Sequence, residues 1–95
     1  MAAVTVRTVR VVVQGRVHGV GFRWFVSAQA RALGLSGWVR NRADGSVEFV
    51  ARGVPADVEG LIADVRRGPP RAEVSSCVVD EADANEHLES PFAIR

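Results

Sequence analysis

An α+β sandwich with the element order β-α-β-β-α-β is what the 95-residue sequence predicts, and three observations carry that expectation. Apolar residues alternate with a period of two before position 15. They recur at helical spacing in two later stretches. A turn-rich segment containing Asp-Gly joins two short apolar runs between those stretches.

Taken in order, Val9, Val11 and Val13 alternate with Arg10, Val12 and Gln14, a strand buried mainly on one face. From Phe22 to Leu33, Phe22, Phe25, Val26, Ala32 and Leu33 fall at helical spacing, and Gly34 followed by Leu35 supplies a C-terminal stop. Trp38 to Arg40 and Val47 to Arg52 flank Asn41-Arg42-Ala43-Asp44-Gly45-Ser46 and predict a hairpin. Pro55 opens a second helix, with Asp57 and Glu59 near its positive end. Val58, Leu61, Ile62 and Val65 face inward, and the helix closes near Arg67 before Gly68-Pro69. Val74 to Val79 predicts another strand, 80–90 a polar surface loop, and Phe92 to Ile94 a short edge strand. This order is that of the ferredoxin-like split β-α-β sandwich, in which right-handed crossovers place both helices on one face of an antiparallel sheet.

Ninety-five residues with 47% hydrophobic and 24% charged content predict a single domain over residues 1–95 with its own core. No stretch approaches the roughly 20 apolar residues of a membrane span, and Arg7 and Arg10 interrupt the apolar N-terminal run, which reads as a strand and not as a signal peptide. The single cysteine, Cys77, cannot close an internal disulfide, which favours a reducing cytoplasm. It reads as a packing residue in a strand, and His18, Cys77 and His87 lack the local spacing of a metal set. Net charge is only +1, but its distribution is uneven. Residues 1–42 carry seven arginines and no acid, whereas 72–94 carry six acids and no Lys or Arg. A small anion is drawn to the basic half, while a nucleic-acid polymer would also meet the acidic segment.

The basic half contains Gly15-Arg16-Val17-His18-Gly19-Val20-Gly21-Phe22-Arg23, a glycine-punctuated turn between strand and helix. Glycines there permit positive φ, so consecutive amide N–H groups can line one concavity, and the following helix adds unpaired N–H groups and its positive dipole end. Arg23, in or beside the first helical turn, offers a planar fork of donors matched to phosphate oxygens. Neither of two common phosphate motifs fits. A dinucleotide fingerprint would need glycine where Trp24 stands, and a P-loop needs a lysine, of which the chain has none.

The stretch resembles the signature G-R-V-Q-G-V-G-F-R of the acylphosphatase family, with His18 in place of the usual Gln. The family's second signature, G-x-V-x-N-x-x-D-G-x-V, is matched in full by residues 37–47, and the likeness continues through GPPRAEV (68–74) to FAIR (92–95). The resemblance implies a hydrolase of small acyl phosphates that releases carboxylate and inorganic phosphate. It also implies a site in which Arg23 and the loop (Gly15, Arg16, Val17, His18, Gly19, Val20 and Gly21) bind phosphate while Asn41 positions the attacking water. Such a site needs no metal and no other cofactor. The leaving carboxylate is a weak base, and phosphoryl transfer through a loose transition state asks mainly for charge stabilisation and positioning.

Blander readings accompany these residues. Arg23 alone would be a surface arginine, and Asn41 a turn residue tolerating left-handed φ. His18 reads as a loop residue standing in for Gln without proton transfer, and Arg16 as an exposed charge that raises the local potential. Two non-catalytic readings share the sandwich. An RNA-binding module should show aromatics on the central strands, but strand one has none and strand three only Phe49. A phosphate-sensing module without turnover would not need both Arg23 and Asn41. The expectation is therefore a cytoplasmic, monomeric enzyme without nucleic-acid or membrane partners.

Overall fold

The structure, a computed structural model, describes residues 5–95. The chain runs β1 (Arg7–Arg16), α1 (Phe22–Ala32), β2 (Ser36–Asn41), β3 (Val47–Gly53), α2 (Pro55–Arg67), β4 (Glu73–Glu81) and β5 (Ala93–Ile94). The sheet order is β4-β1-β3-β2-β5. Four strands pair antiparallel, as the ferredoxin-like expectation requires. The fifth departs from it: β5 adds to the free edge of β2 in parallel, with Trp38 opposite Ala93 and Val39 opposite Ile94, so the sheet is mixed.

Period-two alternation decides which face is covered. Val9, Val11 and Val13 of β1, Val47, Phe49 and Ala51 of β3 and Val39 of β2 join Phe22, Val26 and Ala30 of α1 and Val58, Leu61 and Val65 of α2 in one buried cluster. Each wholly buried Val, Leu or Phe there contributes about 1.5–3 kcal/mol relative to exposure. Phe49, the one aromatic of β3, lies inside this core and presents no stacking surface.

The opposite face is polar. Arg10 bridges Glu48 at 3.0 Å and Glu86 at 3.1 Å, and Arg40 holds the other oxygen of Glu48 at 2.7 Å. Trp38, 5% exposed, lies between the guanidinium groups of Arg40 and Arg95, 5.5 and 4.5 Å from its ring centroid. Of the polar 80–90 segment, expected as a surface loop, Asp80 and Glu81 belong to β4, and 82–90 is tied down along its length. Arg52 donates to the carbonyls of Asp83, Ala84 and Glu86, and the Gly37 N–H donates to that of Glu89. These bonds carry the chain from β4 at one edge of the sheet to β5 at the other.

Gly15 has a structural duty that the sequence did not suggest. It belongs to β1, where the register against β4 shifts between Gln14 and Gly15, and its φ is +128°. A Cβ here would lie 2.0 Å from the Glu73 carbonyl oxygen. Only glycine lets the two backbones approach this closely.

Candidate active site

Topology brings the two sequence motifs to one end of the sheet. Strands β1 and β2 are both antiparallel to β3 and hence parallel to each other, so their carboxyl ends share an edge. The loop 17–21 leaves the end of β1, α1 returns the chain to the other end, and Asn41 closes β2 back at the first.

The loop is pinned at both sides. Val17 and Phe22, each 1% exposed, are embedded in the core, so the intervening backbone spans a fixed gap. Gly19 and Gly21 take φ of +70° and +72°, and nothing lies within 4 Å of a Cβ built on either one. Their glycine identity thus answers to backbone conformation and leaves an open concavity, unlike the tight packing at Gly15. Gly21 is the N-cap of α1, no side chain caps it, and the first turn holds no acid. The leading N–H groups of the helix therefore remain free to receive an anion.

A cavity of about 220 Å³ opens over this loop, small beside the roughly 300–1,000 Å³ that hold drug-sized ligands. Val17, Gly19, Gly21 and Arg23 line one side, and Asn41 lines another. Arg23 is half-buried in the first turn of α1, and its Nη1 donates to the Arg95 carbonyl oxygen at 3.1 Å, which fixes the fork near the cavity. Asn41 is exposed at the end of β2, opposite Val47, and among the described residues its side chain makes no hydrogen bond within the protein.

The hairpin beyond Asn41 is rigid. Arg42 N–H donates to the Ser46 carbonyl at 2.8 Å, and Asp44 accepts from the Ser46 N–H and hydroxyl at 2.9 and 2.6 Å. The Ser46 hydroxyl, then its N–H, hold the Asp44 carboxyl below its ordinary value of 3.8.

Not every residue of the first motif reaches the cavity. Gly15 and Arg16 lie in β1, paired with Val74 and Glu73, so the loop begins at Val17 and not at Gly15. His18 is exposed, Val20 packs against the core, and neither lines the cavity. Three lining residues escaped the sequence reading: Phe22 and Trp24 on α1 and Ile94 on β5. Trp24 left a signal, because it falls off the Phe22–Val26 face of the helix and a Trp there must point to solvent.

Arg7, Arg10, Arg40 and Arg95 are held in ion pairs with Glu59, Glu81, Glu48, Glu86 and Glu89. Among the described residues Arg16, Arg23, Arg31, Arg42, Arg52, Arg66 and Arg71 have no side-chain carboxylate partner, and of these Arg23 lines the cavity. No helix among the described residues is long and apolar enough to cross a membrane.

Residues 9–94 match the family model described as Acylphosphatase. A protein of Koribacter versatilis named acylphosphatase is 46% identical over 86 residues, which cover 90% of this chain and 78% of that protein. Among solved structures, an acylphosphatase from Coxiella burnetii superposes with a TM-score of 0.87 at 37% identity, covering 95% of this chain and 93% of that one. One from Bacillus subtilis superposes at 0.84 with 36% identity, covering 96% and 99%.

Proposed function

Because the chain belongs to the acylphosphatase family, we propose that Arg23 and the 17–21 loop hold the phosphoryl group of the substrate while Asn41 positions the attacking water. The activity is hydrolysis of the carboxyl–phosphate anhydride of a small acyl phosphate to carboxylate and inorganic phosphate. The observation that carries the residue roles is that Gly19, Gly21, Arg23 and Asn41, from two distant motifs, line one cavity.

The chemistry asks little more of the protein. Water oxygen bonds to phosphorus as the bond from phosphorus to the anhydride oxygen breaks, and the electron pair leaves on the carboxylate, which needs no protonation at neutral pH. Charge on the equatorial oxygens is met by backbone N–H groups and the guanidinium fork, already oriented before reaction. The Asn41 amide can both donate to and accept from the water, which sets its approach. A phosphoryl oxygen takes the proton of the water, so His18, outside the cavity lining, has no proton to carry. The reading uses no metal or other cofactor.

The functional unit is the domain 1–95, acting as a monomer in the cytoplasm on a small free substrate and not on nucleic acid. The lone Cys77 supports the compartment, and the burial of Phe49 and the small cavity support a small substrate over nucleic acid. Hydrolysis of benzoyl phosphate, with and without a chelator, tests the mechanism. Turnover should persist with chelator and vanish in Arg23→Ala and Asn41→Ala. Loss of turnover on chelation refutes the metal-free reading, and full activity in either variant refutes its assigned role.

A further inference from the structure

Trp24 is 70% exposed, and Ile94 45%, yet both line the cavity that holds Arg23 and Asn41. Large apolar side chains left in water cost hydrophobic free energy, and a pair of them rimming a polar site marks a surface awaiting an apolar group. The two come from elements fixed for other reasons. Trp24 stands in the first turn of α1 directly after Arg23, between Phe22 and Phe25, whose rings pack 6.2 Å apart. Ile94 is set by the parallel pairing of β5 with β2, opposite Val39.

The loop N–H groups and Arg23 take up the phosphoryl end of the substrate, so the remainder of the molecule must extend towards the rim. We propose that Trp24 and Ile94 form an apolar shelf that holds the acyl portion of the substrate and makes the enzyme favour acyl phosphates with an aromatic or extended apolar acyl group over acetyl-sized ones. An aromatic ring laid against the indole gains offset or edge-on contact in addition to burial, whereas an acetyl methyl is too small to span both residues. The inference rests on the phosphate site assigned above and names its substrate class.

Two measurements test it. In the parent protein, phenylphosphonate and methylphosphonate, hydrolysis-inert anions that differ in the ring, should compete with substrate at inhibition constants roughly three- to tenfold apart, the phenyl compound binding tighter. In Trp24→Ala, the ratio of kcat/KM for benzoyl phosphate to that for acetyl phosphate should fall by roughly the same factor, through KM for the aromatic substrate, and Trp24→Phe should recover most of it. Equal inhibition by the two phosphonates, or an unchanged or rising ratio in Trp24→Ala, overturns the shelf. Arg23→Gln separates this failure from that of the underlying site. If that variant still hydrolyses both substrates, the phosphate assignment falls; if it is inactive while the Trp24→Ala ratio stays fixed, only the shelf falls.

Discussion

Inorganic phosphate is the product, and its binding separates the role of Arg23 from that of Asn41. A ligand that binds only the folded state stabilises it by RT ln(1 + [L]/Kd), about 1.4 kcal/mol at ten times Kd. For a domain of 95 residues this raises Tm by roughly 6–11 °C. Arg23→Ala removes the charged fork, so most of that rise should disappear together with turnover. Asn41→Ala should behave differently. The Asn41 side chain is exposed and makes no hydrogen bond among the described residues, so the truncation should change stability by about 0.5 kcal/mol or less. The loop and Arg23 stay in place, and the phosphate-induced rise should persist. A misplaced water, however, should cost at least about 100-fold in kcat. Differential scanning calorimetry across a phosphate titration, beside steady-state hydrolysis of benzoyl phosphate, reads both quantities. If Asn41→Ala loses the rise as completely as Arg23→Ala, then Asn41 is a phosphate ligand or a turn residue and does not position water.

The two kinds of glycine should fail differently. Gly15→Ala drives a methyl against the Glu73 carbonyl and should lower the urea midpoint sharply, whereas Gly19→Val, at φ of +70° over open space, should cost about 1–2 kcal/mol of stability but remove the phosphate-induced Tm rise. His18→Gln should leave activity between about pH 5 and 8 unchanged, and loss of an ionisation from the rate profile in that window would restore a proton-transfer role to His18. Asp44 and Glu89 are held below their ordinary values of 3.8 and 4.5, the first by Ser46 and the second by its bond from Arg95. Their stabilising contribution is therefore complete above those values and is lost as pH falls through the lower folded ones. Glu89→Gln should flatten the acid limb of stability below about pH 4.5, and an unaltered limb on acid titration by circular dichroism would show that the pair contributes nothing.

Local chemistry made α2 legible to its ends, because Pro55 starts it and Gly68 stops it. Both amphipathic helices and the Asp-Gly hairpin were readable for the same reason. The first four strands were read short at their ends, whereas the last, expected from Phe92, begins at Ala93. β1 reaches Arg7 because β3 runs alongside it as far as Gly53, and Arg16 because β4 does, with Glu73 opposite, and such charged ends interrupt the apolar alternation. The parallel direction of β5 was not readable, since a two-residue strand carries no signal of its partner. Nor was the fastening of 82–90, which depends on Arg52 reaching carbonyls some thirty residues onward. Arg23 and Asn41 stood out in their motifs, but their common cavity follows from strand order. The place of Gly15 in β1 was not readable, because glycine at a bulge and glycine in an anion cradle look alike until φ and the neighbouring backbone are known.

The site's two halves are supported by different parts of the protein. The proposed phosphate cradle is backbone between Val17 and Phe22, both immersed in the core that stabilises the fold. A change in that core which lets either anchor shift moves the N–H groups themselves, and misplacement by about 1 Å can cost a hundredfold in rate. On the proposed reading, folding and phosphate binding therefore depend on the same valine-rich packing. Trp24 and Ile94 stand outside it, on the rim, with most of the indole in solvent. Changing them leaves the core and cradle intact, so the acyl preference can vary while the phosphoryl chemistry stays fixed. On the proposed reading, a small domain without lysine can keep one reaction and alter its substrate through two side chains that stand outside the buried core.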